Sequence, residues 1–152
     1  MIVYRLSKKE FADDLSGKGA EICGGRWNSK GVAMIYTSES RALCTAEIAV
    51  HTSLTNIPTD YRIITIEIPD NSIIALDIND FPEDWDAIPN SYSTQKLGNT
   101  FVVKNAFLTF KVPSAVVHGD FNYVINPRHK YINKVKIIDI SPFSFDKRLF
   151  EK

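Results

Sequence analysis

Residues 24–51 read GGRWNSKGVAMIYTSESRALCTAEIAVH, a stretch that passes from a glycine-rich turn through a short apolar strand into a helix. The clearest helix of the chain is predicted at residues 39–51, because Ser38 can cap it and Glu39 suits the positive end of the helix dipole. Apolar and small residues cover both sides of this helix at about 100° per residue. We therefore expect the helix to be largely buried.

Glu47 lies within this apolar helix, about 40° around the helical wheel from Leu43. Burial disfavours an ionised carboxylate, so a buried Glu47 needs an arginine or a cationic ligand nearby, and carboxylates in that situation are enriched at active sites. The alternative is a side chain at the edge of the apolar face that reaches solvent or pairs with Arg41 or His51. Taken by itself, the pattern favours this second interpretation.

The glycine-rich turn Gly24-Gly25-Arg26-Trp27-Asn28-Ser29 is the second candidate region. Two adjacent glycines let the backbone approach a ligand closely, and the planar guanidinium of Arg26 suits a bidentate phosphate contact. Trp27 is expected either to stack on a ligand or to pack into the core. An isolated Gly-Gly pair favours a simple tight turn, and the stretch matches neither a GxxxxGK phosphate loop nor a GxGxxG fingerprint.

Short β-type runs dominate the rest of the chain. In residues 61–68 the side chains of Ile64, Ile66 and Ile68 face one way, which is the period-two pattern of a half-buried strand. Further strands are predicted at residues 1–5, 32–36, 73–78, 107–112, 121–125 and 135–140. Helices are expected at residues 8–15 and 82–88, and the pair Gly98-Asn99 makes residues 93–104 ambiguous.

The composition limits the class of protein. The chain has 152 residues with 18 Lys and Arg against 18 Asp and Glu, so its formal net charge is zero. We expect one domain, residues 1–152, that folds without disulfides or metal. Zero net charge argues against direct nucleic-acid binding, which depends on clustered basic residues. The absence of a signal-peptide pattern and of an apolar run of about 18 residues favours a cytoplasmic protein without a membrane span.

The spacing of residues argues against a metal site and against a hydrolase-type serine nucleophile. The three histidines form no pair at ligand spacing and the two cysteines form no CxxC motif, so no metal site is predicted. Ser114 lies in Val112-Pro113-Ser114-Ala115, without the flanking glycines of a hydrolase nucleophile, and this pattern favours a capping or turn role.

Several short fragments identify a protein family more specifically by their common order and spacing than any one of them does alone. They are Tyr4-Arg5, Gly17-Lys18-Gly19-Ala20, Gly24-Gly25-Arg26-Trp27-Asn28, Ile35-Tyr36-Thr37, Ala46-Glu47, Val112-Pro113-Ser114 and Asn122-Tyr123-Val124-Ile125-Asn126-Pro127 with His129. With them the chain resembles the RES domain family, the toxin half of bacterial Xre–RES toxin–antitoxin pairs, over nearly its whole length. One departure is Asn99, which follows Gly98 where family members commonly have an acidic residue.

The resemblance implies an α+β protein with an ADP-ribosyltransferase-like fold, in which two small packed β-sheets and flanking helices surround an NAD cleft. The arginine, glutamate and serine that give the family its name match Arg26, Glu47 and Ser114, and an active-site tyrosine matches Tyr36. NAD is then the substrate and no metal is needed. Hydrolysis or phosphorolysis of the nicotinamide–ribose bond is implied, with water, phosphate or a protein left open as the acceptor.

The same resemblance implies a role for each residue. Glu47 would stabilise the positive charge that develops on the ribose. Arg26 would hold the pyrophosphate or a phosphate acceptor, and Tyr36 would stack on nicotinamide and orient it. Further ligand contacts are expected from Trp27, Ser114 and Asn126.

Some of these implications have alternatives. Ser114 can hydrogen-bond Glu47 instead of the ligand, and Asn126 can shape the loop before Pro127. The expected protein partner is an Xre-type antitoxin, and a homodimer within the toxin–antitoxin complex is left open. A protein ADP-ribosyltransferase and a non-catalytic NAD-binding module are the alternative functions.

Overall fold

The computed structural model describes residues 1–53, 55–57 and 59–151. Its strands in these residues are β1 (Ile2–Lys8), β2 (Ile35–Ser38), β3 (Tyr61–Glu67), β4 (Ile73–Ala75), β5 (Thr109–Pro113), β6 (Phe121–Ile125) and β7 (Lys136–Phe143). They form one mixed sheet in the order β4-β5-β6-β2-β1-β3-β7. The β4–β5 pair is parallel and the other pairs are antiparallel. Each run that the sequence predicts as a strand overlaps one of these strands.

The sheet is nearly divided in its middle. Strand β1 pairs with β3 along its whole length, from Ile2 to Lys8. On its other side β1 meets β2 through a single residue pair in the described structure, Tyr4 with Ser38. The α+β class is confirmed. The described strands form one seven-stranded sheet whose two halves meet at this pair, rather than the two small packed sheets that the resemblance implies.

Apolar clusters cover both faces of the inner strands of the sheet, whereas the edge strand β7 is largely exposed. Along β3, Ile64 and Ile66 pack into one apolar cluster with Val3, whereas Ile63 belongs to another cluster around Cys44. Strand β6 alternates in the same way, because Val124 packs with the cluster around Trp27 while its neighbours face the opposite side. Alternate side chains of a strand point to opposite faces, so the period-two pattern of residues 61–68 indicates the core correctly.

The α-helices of the described residues are α1 (Lys18–Cys23), α2 (Arg41–Ala49) and α3 (Tyr92–Lys104). The helix predicted at residues 8–15 is wrong, because β1 runs to Lys8 and is followed by a short 3-10 helix, Lys9–Phe11. Residues 82–88 form successive turns instead of a helix. No helix in the described part of the chain is long and apolar enough to cross a membrane.

Helix α2 is shorter and less buried than its sequence predicts. Ser40 caps it, with Oγ accepting from the Leu43 N–H at 3.0 Å, because Ser38 is the last residue of β2. Only Leu43 and Cys44 are buried within the helix, and Val50 just beyond its end is 58% exposed. The helix packs on β1 and β2 with one face, so small residues on the other face meet solvent.

Helix α3 resolves the ambiguous segment as a continuous helix through Gly98. A Cβ at Gly98 would lie 1.7 Å from the carbonyl oxygen of Trp27. The glycine is therefore required by the close approach of the helix to the turn that carries Trp27, and it does not interrupt the helix.

We predict that Gly98→Ala destabilises the fold by roughly 1–3 kcal/mol or more, because backbone atoms must move to accept the methyl group. Gly19→Ala in α1 is the matched control, since a Cβ there meets no atom within 4 Å. That substitution is expected to be neutral or to stabilise by up to about 1 kcal/mol. Denaturant unfolding measures both variants, and equal stability of the two would contradict the close approach.

Candidate active site

A cleft of about 210 Å³ opens where β1 and β2 separate. Strand β1 contributes Arg5 and Leu6, β2 contributes Tyr36, and α2 contributes Glu47 and Ile48. The near-division of the sheet thus brings a guanidinium, a phenol and a carboxylate to one cavity with apolar walls. Such a combination of an apolar pocket with a few convergent polar groups is typical of a ligand site.

Glu47 is held in this cleft by two hydrogen bonds to one of its oxygens. Ser114 Oγ donates to Glu47 Oε1 at 2.7 Å, and Asn122 Nδ2 donates to the same oxygen at 2.6 Å. No hydrogen bond to Glu47 Oε2 is present among the described residues. The carboxylate is therefore fixed in orientation, with its second oxygen left for a ligand.

Ser114 belongs to the site through Glu47. It is fully buried immediately after β5, and its Oγ accepts hydrogen bonds from the Val116 and Val117 N–H groups at 3.1 and 3.0 Å. A serine hydroxyl has one proton and two lone pairs, so the two backbone donors leave its proton for Glu47. Ser114 therefore combines the turn role that its sequence context favours with the hydrogen bond to Glu47.

Tyr36 lies across the cleft with a fully used hydroxyl. Its OH donates to Asn28 Oδ1 at 2.7 Å and accepts from the Trp27 N–H at 3.0 Å. Burial raises the pKa of the Tyr36 phenol well above its ordinary value, so the group stays neutral. A Cβ at Gly25 would lie 2.6 Å from this hydroxyl, which explains the second glycine of the turn.

Arg26 does not line the cleft in the described structure. Its Nη1 donates to the carbonyl oxygens of Trp85 and Ala87 at 2.8 and 3.0 Å. It is near enough to Tyr36 for its charge to oppose the rise in the tyrosine's pKa. The arginine predicted to hold the pyrophosphate is thus engaged with a neighbouring loop, beside the tyrosine rather than in the cavity.

Arg5 is the arginine that does line the cleft, and residue-by-residue reasoning on the sequence missed it. Its Nη1 donates to the carbonyl oxygen of Asp14. Burial lowers the pKa of the Arg5 guanidinium, and the nearby Asp14 carboxylate opposes that shift. The Tyr4-Arg5 fragment was the available signal, but nothing in it indicates which side of β1 faces a cavity.

Two expected ligand contacts lie away from the cleft. Trp27 is 2% exposed and packs edge-on against Phe81 and Phe110, so its ring belongs to the core. Asn126 is fully buried, donates to Asn105 Oδ1 at 2.9 Å and accepts from the Arg128 N–H at 3.0 Å. The packing of Trp27 and the loop-shaping bonds of Asn126 correspond to the alternatives that the sequence left open.

Side chains of α3 hold the glycine-rich turn. Asn99 Oδ1 accepts from the Ser29 N–H at 3.0 Å, and its Nδ2 donates to Ser29 Oγ at 2.8 Å. Gln95 Nε2 donates to the carbonyl oxygens of Gly25 and Asn28. The departure at Asn99 is thus compatible with an ordered turn, since the amide both accepts and donates.

The family model described as "RES domain" matches residues 2–146. The chain belongs to the RES domain family. Its relatives include Toxin Res of Photorhabdus laumondii, which is 37% identical over 98% of this chain and 97% of that protein. The Prs ADP-ribosylating toxin of Sphingobium sp. is 34% identical over 93% of this chain and 89% of its own length.

A solved structure supports the fold of this RES domain. A chain of the M. tuberculosis MbcT–MbcA toxin–antitoxin complex matches with a TM-score of 0.77 at 21% identity, over 99% of this chain and 86% of that one. This likeness shows that the two chains share a fold.

The three residues that give the RES domain its name are not arranged as one cluster. Glu47 and Ser114 are directly hydrogen-bonded, whereas Arg26 is bound to the loop around Trp85. Asn122 completes the support of Glu47, although it is not one of the three. Among the residues that the structure describes, no group of three or more His, Cys, Asp and Glu side chains is placed to hold a metal ion.

We predict that the thiol of Cys44 on the wall of the cleft is unreactive in the folded protein. Burial raises the pKa of Cys44 to about 12, so only about one thiol in ten thousand is ionised at pH 8. Alkylation with iodoacetamide at pH 8, read by peptide mass spectrometry, should modify the exposed Cys23 and spare Cys44. Unfolding in guanidinium chloride should expose both thiols. Equal alkylation rates in the folded protein would show that the cleft is more open than described.

Proposed function

We propose that this RES domain is a toxin that cleaves the nicotinamide–ribose bond of NAD. The observation that carries the proposal is the Glu47 carboxylate, fixed in the cleft by Ser114 and Asn122 with Oε2 facing no other described hydrogen-bonding group. A negative charge held rigidly in a pocket with apolar walls stabilises a developing cation more strongly than a solvated carboxylate does.

The chemistry needs little beyond that charge. When the bond between ribose C1′ and the nicotinamide nitrogen breaks, its electron pair leaves with nicotinamide and the sugar becomes oxocarbenium-like. Nicotinamide departs as a neutral molecule, so no general acid is required, and Glu47 balances the charge on the sugar. Water, phosphate or a protein nucleophile then bonds to C1′.

The other cleft residues are assigned by position. Tyr36 lines the cavity while its hydroxyl is bound to Asn28, and we assign its ring to stacking on nicotinamide. Arg5 provides the positive charge for the diphosphate. Arg26 acts from the adjacent turn, where it fixes the loop around Trp85.

A cavity of about 210 Å³ is smaller than the 300–1,000 Å³ typical of sites that enclose a drug-sized ligand. We therefore expect the cleft to take the nicotinamide and its ribose, with the adenosine part outside it. In this pose the reacting bond, rather than the whole dinucleotide, lies beside Glu47.

The relatives supply the biological setting of the proposal. One relative carries the name Toxin Res, and the matching solved chain belongs to a toxin–antitoxin complex. We infer that this chain likewise acts in the cytoplasm and is neutralised by an antitoxin protein of the Xre type. A homodimer of the toxin within such a complex is part of the same hypothesis, tested by the mass of the purified complex in light scattering.

Transfer of ADP-ribose to a protein is the second candidate, and the Sphingobium relative named as a Prs ADP-ribosylating toxin favours it. The cleft would be the same, because both reactions begin with loss of nicotinamide. NAD labelled in its adenine part distinguishes the two. Label in a protein band of a cell extract indicates transfer, whereas free ADP-ribose or its phosphorylated form indicates hydrolysis or phosphorolysis.

We predict that Glu47→Gln lowers nicotinamide release at least about 100-fold while the melting temperature stays close to that of the parent protein. The glutamine can still accept the bonds from Ser114 and Asn122 through Oε1, so the change removes charge without removing support. Glu39→Gln is the matched control, because among the described residues the Glu39 carboxylate makes one hydrogen bond, in which it accepts from the Phe121 N–H outside the cleft. Parental release by Glu47→Gln would overturn the mechanism.

We predict that Arg5→Gln raises KM for NAD about tenfold or more, with a smaller change in kcat, because loss of a charged contact to phosphate costs roughly 1.5–3 kcal/mol of binding. Arg62→Gln is the control, since Arg62 lies in β3 outside the cleft and its side chain bonds, among the described residues, only to Tyr61 and Asp60. Initial rates over a range of NAD concentrations give both constants. An unchanged KM in Arg5→Gln would remove Arg5 from the binding site.

A further inference from the structure

Ser38 occupies the junction between the two halves of the sheet. As the last residue of β2, it pairs with Tyr4 of β1 on one side and with Asn122 of β6 on the other. Its side chain is 5% exposed, and Ser38 Oγ donates to Asn122 Oδ1 at 2.7 Å. The same residue thus joins the half-sheets through its backbone and contacts the support of Glu47 through its hydroxyl.

The direction of these hydrogen bonds is determined by chemistry. An ionised carboxylate only accepts hydrogen bonds, so the Asn122 atom that faces Glu47 must be the amide nitrogen. The amide oxygen then faces Ser38, which must donate its hydroxyl proton. The Glu47 carboxylate therefore fixes which way the Asn122 amide points, because a rotation by 180° would set an oxygen against it. Ser38 adds a hydrogen bond that holds the amide oxygen in that orientation.

We propose that Ser38 and Asn122 are positioning residues for Glu47, which form a relay from the β1–β2 junction to the reacting carboxylate. The inference rests on the proposed function for its catalytic consequence, although the relay itself is a property of the folded chain. Ser38 and Asn122 act through Glu47 and need no contact with the reacting atoms of NAD.

A purely structural role is the competing explanation, since cross-strand polar pairs also stabilise sheets. In that case substitutions would lower the melting temperature and leave the kinetic constants unchanged. A positioning role instead lowers kcat more than it alters KM, because the carboxylate is misplaced for the transition state while the rest of the cleft still binds NAD.

The first experiment tests the relay without NAD. In the folded parent protein, NMR of the Asn122 side-chain amide should show a proton shifted downfield by its charge-assisted bond to Glu47. Glu47→Gln should move that resonance upfield, and Ser38→Ala should broaden or shift it. An Asn122 amide that responds to neither substitution would overturn the relay.

The second experiment measures its catalytic consequence. Asn122→Asp is expected to lower kcat at least 100-fold, because it sets a second carboxylate against Glu47, with KM changed by less than about threefold. Ser38→Ala should lower kcat about tenfold, and Ser38→Thr, which keeps the hydroxyl, should restore most of it. Ser72→Ala is the matched control, since the buried Ser72 hydroxyl accepts from the Leu108 N–H away from the cleft and its loss should reduce stability alone.

The outcomes separate this inference from the proposed function. If the parent protein cleaves NAD and both Asn122→Asp and Ser38→Ala keep parental kcat, the positioning roles are wrong and the proposed function stands. If the parent protein releases no nicotinamide, the proposed function fails and the NMR result alone decides whether the relay exists. Should Asn122→Asp fail to fold, Ser38→Ala and its rescue by Ser38→Thr decide the catalytic part.

Discussion

The cleft depends on the separation of β1 from β2 after the Tyr4–Ser38 pair. In a continuous antiparallel ladder, neighbouring strands lie about 5 Å apart and their side chains pack side by side. No pocket can therefore open between the strands. Here Arg5 of β1 and Tyr36 of β2 face a common cavity because the ladder stops. Helix α2 packs on both strands and carries Glu47 into the same space. One local loss of pairing thus creates the site and fixes which elements supply it.

The carboxylate in that gap ties the two halves of the sheet together. Glu47 is carried by a helix that packs on β1 and β2, yet its hydrogen-bond donors are Asn122 of β6 and Ser114, which follows β5. A half-buried carboxylate without donors is costly, so these bonds offset the desolvation of the charge. The same bonds therefore stabilise the junction and orient the group proposed to act on the substrate.

The sequence predicts the strands well because their signal is local. The alternation around Ile64 is present in the structure, because successive side chains of a strand point to opposite faces and a period of two in the sequence shows which ones face the core. Partners across long separations leave no such signal: Asn122 lies 75 residues from Glu47, and only folding brings them together. Gly98 shows the same limit of sequence-based prediction. A glycine predicts an interruption of the helix, and only the structure shows that the backbone of Trp27 lies against it. Local patterns indicated Glu47 and Arg26 only as candidates with a structural alternative, and the family resemblance selected them and added Tyr36.

The hydrogen-bond inventory around Glu47 also limits its chemical role. Ser114 commits its lone pairs to two backbone N–H groups and its proton to Oε1, and the Asn122 amide nitrogen can only donate. Oε1 therefore faces donors alone, and a proton placed on it would find no acceptor. In the proposed reaction Oε1 is held by its two donors while Oε2 faces the ligand, so any proton transfer to Glu47 is confined to Oε2. An acceptor that enters the cleft uncharged must then give up its proton to Oε2 or to solvent once bonding to the sugar has made that proton acidic.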